Sequence, residues 1–381
     1  MTKHVAIIGT RGYPSYYGGF ETAVRQVAPA LADAGWDVTV YGRPGQERTD
    51  DPALDPRITR RTTRGLESRS LSTLTYGLTA VLDTIRRRPD VALVMNCANG
   101  YWLPLLRLAG IPTVVNVDGI EWERAKWGRF AKAVFKTAAR FTAWTADRLV
   151  FDADAIGTYW RRMFERDGVV IPYGGTEAPA LPLRPEDEHL AGTTYALVVA
   201  RFVPENTVPE FLLAAERIAE HHPVVIVGST GYGGELDQHA RLLADAHPNV
   251  HWLGHVADDE RLFALWQHAG AYFHGHSVGG TNPALVQAMH LGAPTVARDT
   301  VYNREVLAGT GTAFVQPEAD AIADAVLALL ADRPEQGRLR DAVRERAREH
   351  YTWRRVCDAY ERALAEQARD PRTRGPVAAV S

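Results

Sequence analysis

The chain has 381 residues, of which 46% are hydrophobic and 23% charged, enough for two domains that each bury a core. Its formal net charge of -3 excludes a general polyanion binder, so no nucleic-acid partner is expected. The two cysteines, Cys97 and Cys357, lie far apart with no metal-ligand spacing, which points to a reducing cytosol.

In chain order, Val5–Ile8 reads as a buried strand that breaks at Gly9 into a glycine-containing loop, Thr10 to Gly19. A helix follows over Glu21–Ala34, with Val24, Val27, Ala28 and Leu31 on one face, and Val38–Tyr41 is the next strand. This βαβ order implies a parallel sheet. Val91–Met95 and Thr113–Val117 repeat it around a helix at Leu103–Leu108, and Arg148–Phe151 and Val169–Ile171 flank a helix at Asp154–Phe164. A loose stretch, Glu177–Gly192, marks the domain boundary.

The second half restarts the scheme. Strands are expected at Tyr195–Val199, Val224–Val227, His251–Leu253, Ala271–His274 and Thr295–Ala297. Helices are expected at Glu210–Glu220, Glu235–Ala246, Asp259–His268, Pro283–His290, Ala319–Ala331 and Arg338–His350. The fold class is therefore α/β, with two Rossmann-like domains of parallel sheet. Trp353–Ala368 is a further amphipathic helix, and residues 369–381 read as a disordered tail. The N-terminus has no signal-peptide pattern, and no uncharged apolar run reaches the ~18 residues of a membrane span. A cytoplasmic protein is expected, with a peripheral seat on the inner face of the plasma membrane left open.

Four segments can carry chemistry. In open α/β sheets ligands bind beyond the carboxyl ends of the strands. The first loop ends in Gly18 and Gly19, where backbone amides at a helix start can approach an anion, although an ordinary glycine-bearing loop gives the same letters. The second segment, His274-Gly-His-Ser-Val-Gly-Gly-Thr-Asn-Pro, offers Asn282 as helix cap, Pro283 in the first turn, and Gly279, Gly280 and Thr281 before a helix N-terminus suited to a diphosphate. Gln287 lies about one turn into that helix, where its amide can reach a ribose diol.

Gly275-His-Ser277-Val-Gly279 also spells a hydrolase elbow, but the helix starts too late for one. His274 and His276 face one way in an extended segment without a third ligand, so no metal is expected. The third segment places Arg201 after a buried strand, as a phosphate fork or as half of a structural ion pair. The fourth sets Asp118 and Glu121 at a strand end. It continues as a basic, aromatic stretch with Arg124, Lys126, Arg129, Lys132 and Lys136 among Trp127, Phe130, Val134 and Phe135. That stretch suits an anionic membrane surface, or a surface helix packed on its own domain. The only Asp-x-Asp, Asp152-Ala-Asp154, reads as helix capping.

Together, IIGTRGYPSYYGGFET, VDGIEWERAKW, ARFVPEN and HGHSVGGTNP resemble glycosyltransferase family 4 on the GT-B fold. Within it they resemble a bacterial rhamnosyltransferase-like subgroup whose N-terminal region was long of unknown function. The resemblance covers residues 1 to about 368. It implies two domains facing a central cleft: an acceptor-binding domain over 1–180 and a nucleotide-sugar domain over 181–350, with a helix over 351–368 crossing back to the first. It further implies retaining transfer of a hexosyl group from a dTDP- or UDP-linked donor to a saccharide or lipid-linked saccharide, without a cofactor. By position, Gly18 and Gly19 approach donor and acceptor, and Arg201 binds the diphosphate. Gly254, His255 and Val256 meet the base, Gly280–Asn282 hold sugar and phosphates, and Glu305 orders the donor site.

The chain departs from the broad family at Gly279 and Gln287, where two glutamates are usual, and at Asn206, where a lysine is usual. A histidine is also usual near Asp118. These departures keep a non-catalytic paralogue open. A sugar-nucleotide epimerase remains a second alternative, and the missing GxGxxG counts against an NAD-dependent oxidoreductase.

Overall fold

The computed structural model describes residues 2–16, 18–45, 50–66, 72–124 and 127–368. Lys126 and the expected tail at 369–381 lie outside the described residues. The chain forms two compact units, one running to Tyr173 and resuming at Trp353, the other Gly174–Thr352.

The first unit holds seven parallel strands in the order β3-β2-β1-β4-β5-β6-β7. They are β1 (His4–Ile8), β2 (Asp37–Gly42), β3 (Thr59–Thr62), β4 (Val91–Met95), β5 (Thr113–Asn116), β6 (Arg148–Phe151) and β7 (Val169–Val170). The crossovers carry α1 (Gly19–Asp33), α2 (Ser72–Arg87), α3 (Leu103–Leu108), α4 (Arg129–Thr145) and α5 (Asp154–Phe164). Central strands such as Val91–Met95 are buried throughout, because helices cover both faces of a parallel sheet. β1 pairs with both β2 and β4, so the chain reverses its direction of travel across the sheet there. That switch point is where such sheets take ligands.

The second unit repeats the plan with the order β10-β9-β8-β11-β12-β13. Its strands are β8 (Ala196–Val199), β9 (Val224–Val227), β10 (Val250–Gly254), β11 (Ala271–His274), β12 (Thr295–Arg298) and β13 (Ala313–Val315). Its helices are α6 (Val208–Ala219), α7 (Glu235–Ala246), α8 (Asp259–His268), α9 (Pro283–Leu291), α10 (Val301–Val306), α11 (Ala319–Ala331) and α12 (Arg333–His350). Its switch point lies between β8 and β11. α13 (Trp353–Ala368) then returns to the first unit, where Val356, Tyr360 and Leu364 share a core with Val5, Ile7, Val24 and Leu31.

The division at Tyr173–Gly174 precedes the loose stretch that composition selected. That stretch belongs to the second unit because its backbone is tied down: Gln267 accepts from Leu181 N at 2.8 Å and donates to Pro179 O at 2.8 Å, and Ala178 and Leu183 pack on the core. β3, α2, α10 and β13 are elements beyond the sequence expectation, and α12 begins five residues earlier.

Candidate functional site

Each unit gathers polar residues at its switch point, and the two sets are described separately. In the first unit, β1 ends at Gly9 with φ 95, and a Cβ there would stand 2.1 Å from the Met95 carbonyl oxygen. Only glycine lets β1 turn so close to β4. α1 starts at Gly19, with extended Gly18 as a cap that has no side chain to offer. Glu21, buried in the first turn, accepts from Arg11 N at 3.0 Å. It puts a negative charge at the helix end where Gly18 and Gly19 were expected to meet an anion.

The neighbouring strand ends are strained in the same way. Asn96, after β4, has φ 75, and Asp118, after β5, has φ 64. Left-handed backbone is uncommon outside glycine, and Asn and Asp tolerate it best. Asn116 accepts from Asp118 N at 2.9 Å and donates to the buried Tyr360 hydroxyl at 2.7 Å, so α13 braces the turn that presents Asp118. Asn96 Nδ2 donates to Asp118 Oδ2 at 3.4 Å. Burial, then the charges of Asp118 and Asp152, push the Tyr173 phenol well up.

Glu121 does not share this exposure. It is buried, paired with Arg124 at 2.6 Å and accepting from Trp127 Nε1 at 2.9 Å. The Arg124 Nε–H is aimed off the oxygen, so that contact is an ion pair rather than a hydrogen bond. Glu121 therefore anchors its loop, with each carboxylate oxygen already holding one partner. At the start of α5 the N-cap residue is Ala153, whose side chain cannot hydrogen-bond, and Asp152 and Asp154 stand on either side of it.

In the second unit, two loops are laced together. Asn206 donates to Arg201 O at 2.8 Å, and its Oδ1 accepts from His276 Nδ1 at 2.5 Å. Thr207 Oγ1 donates to Gly275 O at 2.6 Å, and Ser277 donates twice to Glu205 O. Asn206 and His276 are thus struts between the loops after β8 and β11. Ser277 Oγ faces a carbonyl rather than a base, which removes the hydrolase reading. His274 is buried and shares a hydrogen bond with Tyr272 OH through Nδ1 at 3.0 Å, and burial with the charge of His276 pushes its imidazole down to about 3. Among the described residues, no three His, Cys, Asp or Glu side chains cluster as metal ligands.

The loop then runs through Gly279 at φ 88, a backbone that an L side chain adopts only with strain, so the missing glutamate is matched by the local geometry. Gly280 and Thr281 are buried, and Asn282 Oδ1 caps α9 by accepting from Ala284 N at 2.9 Å and Leu285 N at 3.4 Å. Gln287 is already paired: its amide accepts from Thr176 N at 3.0 Å and donates to Thr176 O at 2.7 Å. A ribose contact through Gln287 would use the second N–H or the second lone pair of an amide already held by Thr176. Gly254 ends β10 at φ 64, His255 is exposed, Val256 packs on the core, and Glu305 is half-buried on α10.

Arg201 is exposed, and among the described residues no carboxylate pairs with it. The structural ion pair weighed from sequence is therefore not formed. Sequence reasoning missed a second cation, Arg298, at the end of β12. It donates to Thr207 Oγ1 at 2.9 Å, and its backbone carbonyl accepts from Asn303, which also holds His276 O. Asp299 beside it is taken by Arg304 at 2.6 Å. The signal was present: Val-Ala-Arg closes both Val199–Arg201 and Val296–Arg298. The two arginines flank the β11 loop from the strands on either side.

Residues 18–174 match the Glycosyl transferase 4-like domain family, and residues 183–350 match the Glycosyl transferases group 1 family. No curated protein matches the sequence. Among solved structures, sucrose-phosphate synthase from Thermosynechococcus elongatus is similar with a TM-score of 0.78 at 18% identity, covering 96% of this chain and 98% of that one. HepE of Anabaena, solved in complex with UDP, gives 0.71 at 16% identity, covering 96% and 100%. A glycosyltransferase from Rickettsia africae gives 0.73 at 12% identity, covering 97% and 99%. At these identities the likeness speaks for the fold, and the two domain families speak for the activity class: the chain belongs to the glycosyltransferases of the GT-B fold.

Proposed function

We propose that this enzyme transfers a hexosyl group, rhamnosyl by its subgroup resemblance, from a dTDP- or UDP-linked donor with retention of configuration. The acceptor is a saccharide or lipid-linked saccharide of cell-surface polysaccharide or glycoconjugate assembly, met at the inner face of the plasma membrane. The observation that carries the donor reading is Arg201. Its guanidinium stands without a counter-ion among the described residues, beyond the β8 end and beside the loop that leads into α9. Arg261 in the same unit, by contrast, is paired with the buried Asp187 at 2.7 Å. An arginine left over at a switch point suits a diphosphate.

In this reading Arg201 and the amide groups before α9 hold the diphosphate and stabilise the charge it gains as the glycosidic bond breaks. Asp118, presented by a strained turn, accepts from a sugar or acceptor hydroxyl. Preorganised donors of this kind need no divalent cation, so full activity in EDTA is expected and complete loss would reopen a metal role. A thermal-shift panel of nucleotides and nucleotide sugars tests the reading. A ligand that binds only the folded state adds about 2.7 kcal/mol at one hundred times its dissociation constant. A selective shift with one diphosphate or its sugar supports the donor site and identifies the base. No shift with any of them favours a non-catalytic paralogue, for which the Gln287–Thr176 pair and the absent lysine and glutamate are the grounds.

A further inference from the structure

α4 is inverted relative to an ordinary surface helix. Its inner face is built from small residues, with Ala138, Ala139, Thr142, Ala143 and Thr145 buried. They pack against the 3-10 turn Cys97–Trp102 so closely that a Cβ on Gly100 would stand 2.1 Å from Ala138 O, and Thr142 Oγ1 donates to Cys97 O at 3.2 Å. Two large apolar side chains point the other way, Phe130 at 83% exposed and Trp144 at 70%, while Phe135 and Phe141 are half-buried against Trp127 and Tyr101. The helical rise between Phe130 and Trp144 is ~21 Å and their directions agree to within ~40°, so both lie on one face. Arg107 on α3 donates to Trp144 O at 3.2 Å and brings the α3 end alongside, where Leu108 is 85% exposed. Isolated exposed apolar residues need no explanation, but Phe130 and Trp144 on one face, with exposed Leu108 on the neighbouring helix, form a group.

The flank of this face is basic, Arg140 and Arg129 lying within about 80° of it and Lys136 and Lys132 farther round at about 100° and about 140°. α4 carries Arg129, Lys132, Lys136 and Arg140 and no acidic residue, and Arg107 extends the field. Among the described residues none of these five is ion-paired with a carboxylate, although arginines elsewhere on this protein commonly are. We propose that α3 and α4 form a docking surface for an anionic lipid bilayer, with Leu108, Phe130 and Trp144 entering the acyl boundary and the cations at headgroup level. The aliphatic stems of Lys132 and Lys136 can lie along the helix while their charges reach outward. A nucleic acid would use the cations but not the three apolar side chains. A protein partner's contact core would be depleted of lysine. This surface rests on the glycosyltransferase reading only for its purpose, which is to bring the first unit to a lipid-borne acceptor.

The test is co-sedimentation of the full chain with vesicles of phosphatidylcholine mixed with phosphatidylglycerol, against pure phosphatidylcholine. Binding to the anionic vesicles alone is expected, weakened about fivefold by each of Lys132→Gln, Lys136→Gln and Arg140→Gln. It should fall at least tenfold in the triple variant Leu108→Ser, Phe130→Ser, Trp144→Ser, whose exposed positions leave the fold intact by circular dichroism. Equal binding to both vesicle types, no binding to either, or an unaffected triple variant overturns the proposal. A concentration-dependent dimer lost in the triple variant would assign the face to a second copy instead, and also overturns it. The nucleotide thermal shift on the same variants keeps the two readings apart: loss of vesicle binding with the shift retained concerns this surface alone.

Discussion

Replacing Arg298 with glutamine removes one of the two cations at the second unit's switch point while keeping a side chain of similar reach. Thr207 loses an incoming hydrogen bond but keeps its own donation to Gly275 O at 2.6 Å, so the fold should lose about 1 kcal/mol or less. A charge-assisted bond to a phosphate is worth about 1.5–3 kcal/mol, which is roughly ten- to 150-fold in affinity. Asn206 cannot make up the difference, because its amide carries no charge and is held by Arg201 O and His276. The assay is calorimetric titration with the nucleoside, its monophosphate and its diphosphate. Affinity for the diphosphate should fall by at least tenfold, affinity for the nucleoside should hold, and Arg298→Lys should recover part of the loss. Equal diphosphate affinity in wild type and Arg298→Gln would refute the assignment. A parallel loss for the nucleoside would mean that the substitution had disturbed the loop rather than removed a charge.

Glu121→Gln leaves the Arg124 charge uncompensated in a buried site, so urea unfolding should show a loss of about 3 kcal/mol; a lowered turnover with unchanged stability would instead return Glu121 to the chemistry. Asp118→Asn keeps a residue that tolerates φ 64, so stability should change by about 0.5 kcal/mol at most while turnover falls tenfold or more, and unchanged turnover would remove Asp118 from the site. The buried His274, pushed from 6.5 to about 3, refuses a proton that the unfolded chain accepts. Its contribution is complete above about pH 6.5 and is lost as pH falls toward about 3, at up to about 1.4 kcal/mol per pH unit. His274→Phe should flatten that acid limb in unfolding curves taken at several pH values, and an unaltered limb would show that another group sets it.

The paired βαβ plan was legible because buried parallel strands are apolar runs. Val91–Met95 and Val224–Val227 leave no other reading. β3 was not, because it is an edge strand, Thr-Arg-Arg-Thr, exposed along most of its length. α2 buries Tyr76, Gly77, Ala80, Val81 and Thr84, a helical spacing disguised by glycine and threonine where apolar side chains would have marked it. At the site, residue types and their loops were readable, but their partners were not. Gln287 meets Thr176, 111 positions away, and Asn116 meets Tyr360, 244 positions away. Such pairings decide whether an amide or carboxylate is available to a ligand, and they exist only once the chain has folded.

The return of α13 also sets an order for biosynthesis. Gly174–Thr352 is continuous, so every residue of its core has been translated once that stretch is complete. The first unit cannot close in the same way. Val356, Tyr360 and Leu364 lie in one core with Val5, Ile7, Trp36 and Leu93, and they are translated only after the whole of the second unit. Until Trp353–Ala368 emerges, β1 and α1 keep an uncovered apolar face, which is a substrate for chaperones rather than a finished domain. The unit that starts first is therefore completed second, and a released chain ending before Trp353 would contain the whole core of the second unit but only part of the first.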